Sequence, residues 1–362
     1  MENTNKTVVI IPCYEPPFVV TDYVKELVSY DGVEVVAVND GSIKEFDRVF
    51  DALRQIEKCT VISYEVNQGK GHALKVALKH CKDNYGINDN FVTADCDGQH
   101  AIKDVLNLAK SANENKNSLI LGCRDFSLPQ VPKRSQFGNL STRRMFSFLY
   151  GLNISDTQTG LRAFNYRLID DLLLVKGKRF EYEMSMLIQM PQKNYDIVEV
   201  PIDTVYEKKQ EDVNTRSHFK TFEDSAKVWG VLLGNMANFI IAGLIATIID
   251  LGLFSLLYYL GFKDLQSVET RTLLSSVIAR ITSSIVNFLI CKKVVFHSSN
   301  KFSSIKYYAL WIIQLGASYL FTYLIGNLLL SSLIVLVKAV FDTIISLVSY
   351  KIQQVWVFKK NK

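Results

Sequence analysis

"NFVTADCDGQH" (residues 90–100) opens as an apolar run and closes on two aspartates, a glycine and a glutamine. Read as a strand with a turn at Gly98, it puts Asp95 and Asp97 on one side of the strand's end. Two carboxylates that close repel each other, and each loses hydration on burial, so the pattern calls for a cation. With the amide oxygen of Gln99 they form a hard donor set suited to Mg²⁺ or Mn²⁺, ions that keep positions open for substrate phosphates. A surface turn rich in Asp and Gly is the plain alternative. His100 reads either as a further ligand or as a solvated residue at a helix start.

Four more strand-like runs, at 7–13, 33–40, 59–66 and 118–124, alternate with helix-like segments near 20–29, 44–57, 70–83 and 101–114. Apolar runs without alternation suit strands covered on both faces, and helical spacers suit crossovers. The first 205 residues therefore predict an α/β domain with a mainly parallel sheet. Ligands gather at the carboxyl ends of such strands. Tyr14 and Glu15, Asp40, Asp95 and Asp97, and Arg124 all fall there. Asp40 in "AVNDGS" (37–42) is placed to accept hydrogen bonds from a base or ribose, or simply to open an Asp-Gly turn. "NQGKGHALKVAL" (67–78) sets two glycines and Lys70 ahead of a helical pattern, an arrangement that brings a cation and a helix N-terminus to a phosphate. In "RFEYEMSM" (179–186), Glu181 and Glu183 both face a pocket if the segment is extended, and at least one faces water if a helix starts there.

Composition divides the chain of 362 residues near position 225. Charges of both signs are scattered before that point, and the remainder is mostly apolar. Four runs, at 231–260, 273–291, 307–330 and 332–350, come close to the ~20 apolar residues that span a bilayer. Lys and Arg gather before the first run, between the second and third, and after the fourth, which predicts that both termini and the first domain are cytoplasmic. The N-terminal stretch lacks a leader pattern, so no signal peptide is expected. "SIVNFLICKKVVF" (284–296) is echoed by "SLVSYKIQQVWVF" (346–358), which predicts a duplicated helical hairpin. Asp250 and Arg280 are expected to pair across helices, and Lys338 and Asp342 along one. "FGNLSTRRMFSFLYGL" (137–152) reads as a helix lying in the membrane interface, with Phe137, Leu140, Phe148 and Leu152 widened by Met145, Phe146 and Tyr150 beside Arg143 and Arg144. The six cysteines have no CxxC spacing and read as buried thiols. No basic tract with interleaved aromatics appears, which argues against nucleic acid as a partner.

Taken in order, "IPCYEPP" (11–17), "VNDGS" (38–42), "NQGKGHAL" (67–74), "ADCDGQH" (94–100), "GCR" (122–124) and "DTQTGLRAF" (156–164) resemble the family-2 glycosyltransferases of GT-A fold. The resemblance is to the polyprenyl-phosphate, dolichyl-phosphate mannosyltransferase-like branch and covers about residues 5–225. The apolar half is similar to the GtrA-like membrane domain. This implies a Rossmann-like α/β GT-A domain over 1–225, followed by an all-α transmembrane domain of four helices over 226–362. It further implies an integral plasma-membrane enzyme that moves a hexose from a nucleotide sugar, a UDP-sugar by preference, to undecaprenyl phosphate on the cytoplasmic face, with inversion.

Under that resemblance Pro12, Tyr14, Glu15, Asp40, Lys70 and Asp95 fall on the nucleotide-sugar pocket, and Asp95, Asp97 and Gln99 on the Mg²⁺ or Mn²⁺ site. Asp95, Asp97, Arg124 and Arg134 are the expected catalytic group. Arg124, Arg134, Asp156, Gln158, Arg216, Ser217 and His218 are the expected acceptor-phosphate group, with Arg134 and Arg216 reading equally as surface charges. Family members often carry two acids where this chain has Asn39-Asp40, so weight falls on Asp40 alone. A phosphate monoester has a second pKa of about 6, so the acceptor is already ionised and needs no protein base. A homo-oligomer is left open. The rivals are a processive polysaccharide synthase, whose QxxRW motif is not found, a synthase that also flips its product, and an inactive scaffold.

Overall fold

The computed structural model describes residues 5–129, 131–203, 221–265, 267–326 and 334–359. The chain divides into two compact units, one of residues 1–147 and 152–232, the other of residues 148–151 and 233–362.

The first unit is built on β1 (Thr7–Cys13), α1 (Val19–Val28), β2 (Val33–Asp40), α2 (Asp47–Arg54), β3 (Cys59–Tyr64), α3 (Lys70–Asn84), β4 (Asn90–Thr93), α4 (Ile102–Glu114), β5 (Ser118–Arg124), α5 (Lys133–Tyr150), β6 (Arg162–Asn165), α6 (Ile169–Leu174), α7 (Glu181–Gln192) and β7 (Asp196–Ile202). Seven strands form one sheet in the order β3-β2-β1-β4-β6-β5-β7. Only β6 runs antiparallel to its neighbours, so the expected mainly parallel α/β sheet is what forms. Val8, Ile10 and Val36 are as completely buried as Val9, Ile11 and Ala37. Burial on both faces explains the unbroken apolar runs, each such Val or Ile contributing about 1.5–3 kcal/mol.

Two strand ends differ from expectation. The run at 90–97 leaves the sheet at Thr93, whose hydroxyl donates to the Gly160 carbonyl at 2.8 Å. The run at 59–66 ends at Tyr64. Asp95 and Asp97 therefore owe their nearness to a turn, not to the alternation of a strand.

In α5 the exposed residues Phe137, Leu140, Arg144 and Phe148 recur at helical spacing, while Asn139, Thr142, Phe146 and Leu149 are buried. The expectation that Phe146 widens an exposed apolar surface is thus corrected: its ring is fully buried, on the opposite stripe.

From α8 (Thr221–Leu256) onward the chain is helical, through α9 (Val268–Ile290), α10 (Ser303–Gly326) and α11 (Ile334–Ile352). Among the described residues two segments, Glu223–Gly261 and Val268–Val295, are long and apolar enough to cross a bilayer. Asp250 and Arg280 pair at 3.3 Å as expected, and the Ser283 hydroxyl donates to Asp250 at 3.1 Å. The side chains of Lys338 and Asp342 lie outside the described set.

The sequence echo has a structural counterpart. Both copies end in a π-helical turn, Cys291–Val295 and Gln353–Val357. Each turn closes with a phenylalanine amide donating five residues back, Phe296 to Cys291 at 2.9 Å and Phe358 to Gln353 at 2.8 Å. Phe296 and Phe358 stack on one another with centroids 5.0 Å apart. Around them stand two matching triangles of rings, Phe239–Phe296–Tyr350 and Tyr307–Phe358–Phe288. Two hairpins packed through equivalent residues are what a duplication predicts.

Candidate active site

The parallel strands bring Tyr14, Asp40, Asp95 and Arg124 to one edge of the sheet. Asp95 lies just beyond β4, with Lys70 Nζ 2.7 Å from one carboxylate oxygen and His100 Nε2 3.3 Å from the other. Burial alone would raise its pKa, but Lys70 and His100 outweigh that and hold the carboxyl well below the usual range. A Cβ on Gly160 would stand 2.5 Å from the same carboxylate, so the "DTQTG" loop closes over Asp95 only because it carries glycine there. Asp97 sits in the turn and accepts from the Gln99 amide at 3.0 Å. Burial, and then the neighbouring Asp95 charge, push the Asp97 carboxyl up.

A divalent cation would relieve the part of that push that comes from the Asp95 charge, and the oxygen donors are of the hard kind such ions take. Among the described residues no three His, Cys, Asp or Glu side chains converge on one point. The protein would supply Asp95, Asp97 and the Gln99 amide, leaving other positions to substrate oxygens. The residues present fit such an ion.

Asp40 is almost wholly buried at the end of β2. Its carboxylate accepts from Tyr64 Oη at 2.7 Å, the Gln68 amide at 2.8 Å, the Gly69 amide at 2.9 Å and Asn67 Nδ2 at 3.2 Å. Asp40 thus shapes the loop that carries Lys70. Several amides around the start of α3 are already engaged. The Gln68 and Gly69 amides serve Asp40, and the His72 amide donates to the Lys178 carbonyl at 2.7 Å. Gly69 has φ +99, and a Cβ on it would stand 2.5 Å from Arg179 Cγ. Pro12 is buried in β1 beyond the last β4 pairing at Ile10, where the missing donor costs no ladder bond to that strand. Glu15 adopts φ 50, an uncommon conformation for a non-glycine residue, and its amide donates to Ser42 Oγ at 2.9 Å. Tyr14 beside it has its phenol raised by burial and by the Glu15 carboxylate.

Arg124 ends β5 and pairs with Asp156 at 2.7 Å, with a second contact at 3.2 Å. Asp156 is fully buried and also accepts from the Gln158 amide at 3.0 Å. It both orients a cation and caps a turn. Arg134 lies in α5 with its side chain outside the described set. Arg216, Ser217 and His218 fall in residues 204–220, also outside the described residues.

Arg162 escaped sequence reasoning, and Glu183, expected to face a pocket only if its segment is extended, reaches the site from a helix. Arg162 is buried, donating to the carbonyls of Thr159 at 3.0 Å and Glu183 at 2.6 Å. Glu183 is buried in α7, its carboxylate 2.9 Å from Lys70 Nζ. The available signal was an acid inside "YEMSML", a run otherwise fit for a core. Beside Glu183 opens a cavity of about 350 Å³, whose lining includes Thr157, Gln158, Glu183, Phe180, Trp229 and Leu232.

The Glycosyl transferase family 2 model matches residues 8–173, and the GtrA/DPMS transmembrane domain model matches residues 238–358. The chain carries a family 2 glycosyltransferase domain and a GtrA/DPMS transmembrane domain. This glycosyltransferase is 28% identical over 218 residues to the UDP-N-acetylglucosamine–dolichyl-phosphate N-acetylglucosaminyltransferase of Methanococcus voltae, covering 54% of this chain and 84% of the relative. It is 30% identical over 112 residues to a dolichyl-phosphate hexose transferase of Haloferax volcanii, covering 31% and 48%. Among solved structures, glucosyl-3-phosphoglycerate synthase from Mycobacterium tuberculosis, in complex with Mn²⁺, UDP and phosphoglyceric acid, matches with TM-score 0.48 and 18% identity, over 64% of this chain and 78% of that one.

Proposed function

We propose that this membrane glycosyltransferase moves a hexose from a nucleotide sugar to a polyprenyl phosphate. The observation that carries the reading is the cavity beside Glu183, whose lining divides between polar residues such as Thr157 and Gln158 and apolar ones such as Phe180, Trp229 and Leu232. A phosphate headgroup with its first isoprene units has that division. The archaeal relatives named for dolichyl-phosphate transfer support the acceptor class, and the UDP donor of one of them supports a UDP-sugar here.

A divalent cation held by Asp95, Asp97 and Gln99 would stabilise the negative charge that builds on the departing diphosphate. The chain's own residues do the rest. Asp40 holds the 67–69 loop so that Lys70 faces the Asp95 carboxylate. Arg124, oriented by its contacts with Asp156, presents a fixed cation at the strand edge, a preorganised charge of the kind that lowers barriers in a partly buried site. The acceptor is an anion near neutrality, so no residue is assigned as a general base, and the remaining task is placement. Displacement from the opposite face of the sugar inverts the anomeric centre. The exposed stripe Phe137, Leu140, Arg144 and Phe148 seats α5 in the membrane interface. The distribution of Lys and Arg along the sequence supports a site on the cytoplasmic face, and the lipid assigned in this reading is undecaprenyl phosphate.

A donor screen tests this. Full-length protein with Mg²⁺ or Mn²⁺, a short polyprenyl phosphate and a panel of UDP- and GDP-sugars should give one lipid product heavier by a single sugar. Products carrying a growing sugar chain would instead favour a processive synthase.

A further inference from the structure

Lys70 Nζ lies 2.7 Å from Asp95 and 2.9 Å from Glu183, with its side chain 16% exposed. An ammonium so enclosed stays charged only while a carboxylate compensates it. Asp95 is also the residue expected to ligate a divalent cation. A metal ion arriving there claims the lysine's partner, and the two positive charges then oppose one another unless a second anion holds the lysine.

Glu183 is that anion, and its place does not depend on the lysine. Its backbone carbonyl accepts from buried Arg162 at 2.6 Å. Its neighbours Tyr182 and Met184 are buried in the core. The glycines on either side of Lys70 admit it: a Cβ on Gly71 would stand 2.5 Å from Tyr182 Cβ, and one on Gly69 would stand 2.5 Å from Arg179 Cγ. The Gly-Lys-Gly sequence is therefore what lets the start of α7 lie against the lysine. Glu183 Oε1 is buried and, among the described residues, makes no hydrogen bond of good geometry. At 2.9 Å from Lys70 Nζ it lies close enough to hold the ammonium by itself.

We propose that Glu183 is a positioning residue for Lys70, keeping the ammonium compensated when Asp95 turns to the divalent cation and so leaving the lysine facing the donor's diphosphate. The inference rests on the reading of Asp95 and Asp97 as a cation site. Glu183 acts through Lys70, and its effect disappears when the lysine is absent.

The test is a cycle of four full-length proteins in detergent, unchanged, Glu183→Gln, Lys70→Met and the double variant, each titrated calorimetrically with Mn²⁺ without donor. Glu183→Gln is expected to weaken Mn²⁺ binding about tenfold, the lower end for residues that support a metal's ligands. Lys70→Met, which removes the competitor, is expected to tighten it, and Glu183→Gln is expected to add nothing in that background. Equal weakening in both backgrounds, or none in either, overturns the proposal. Should Glu183→Gln fail to fold, the comparison of Lys70→Met with the double variant decides: a tenfold gap between them refutes action through the lysine. Glu183→Asp, which keeps the charge, should restore part of the affinity. Absence of both Mn²⁺ binding and sugar transfer in the unchanged protein would overturn the cation reading itself, and the inference with it. Binding and transfer intact in the unchanged protein, with no loss in Glu183→Gln, would overturn the inference alone.

Discussion

Lys70 in one unit and Arg280 in the other both meet carboxylates, and the settings differ. Lys70 stands between Asp95 and Glu183, with Asp97 two residues from Asp95, so carboxylates outnumber the lysine. Among the described residues Arg280 pairs with one carboxylate, Asp250, which also accepts from the Ser283 hydroxyl. The first group carries a surplus of negative charge, and burial together with that surplus pushes Asp97 up. The second closes on itself. An unbalanced cluster at a strand edge marks chemistry that imports a cation, whereas a balanced pair among apolar helices serves their packing.

Substitutions can break or sharpen this contrast. The largest effect is expected for Asp95→Asn with Asp97→Asn, which should lower transfer to lipid phosphate about 10³-fold while thermal unfolding of the protein is little changed. Chelation should do the same to the unchanged protein. Next, Arg124→Met should cost about 10²-fold in kcat, the range for losing one preorganised donor, with the nucleotide still bound. A smaller effect belongs to Phe137→Asp. It should raise the apparent KM for polyprenyl phosphate in vesicles about tenfold or less and leave a short acceptor in detergent unaffected, because the ring's part is at the membrane surface. The smallest is Asp250→Asn, expected to cost about 0.6 kcal/mol of stability, the average for polar contacts between membrane helices. Loss of transfer by Asp250→Asn on the scale of the Asp95 variant would erase the distinction between site and packing pair.

Legibility followed the range of the interactions involved. The unalternating runs of β1 and β2 announced a sheet covered on both faces, because burial is a property each strand carries locally. Asp95, Asp97 and Arg124 were readable as strand-end groups, and the Asp250–Arg280 pair as charges too costly to leave alone. The echo between 284–296 and 346–358 was visible because both copies kept the ring and the terminal phenylalanine that close the same π turn. What could not be read depends on distant segments meeting. Glu183 reaches Lys70 only because Gly69 and Gly71 admit the start of α7, more than 100 residues later in the chain. The loop from Tyr64 to Gly69 folds back onto the Asp40 oxygens, a contact that no local pattern announces. The i, i+2 argument for Asp95 and Asp97 assumed an extended chain, but the pairing of β4 with β1 ends at Ile10 and Thr93 and a turn takes over. Phe146 was counted with the exposed face of its helix, although helical spacing from buried Asn139 and Thr142 places it inside.

The central claim is that the carboxylates beside β4 serve sugar transfer to a lipid phosphate. Its most direct test uses full-length protein in vesicles containing undecaprenyl phosphate, supplied with the UDP-sugar that the screen selects and Mn²⁺, with the lipid weighed by mass spectrometry. The account predicts lipid heavier by one sugar residue with the unchanged protein and none with Asp95→Asn/Asp97→Asn. Equal product from both proteins, or nucleotide release with no glycosylated lipid, would contradict it.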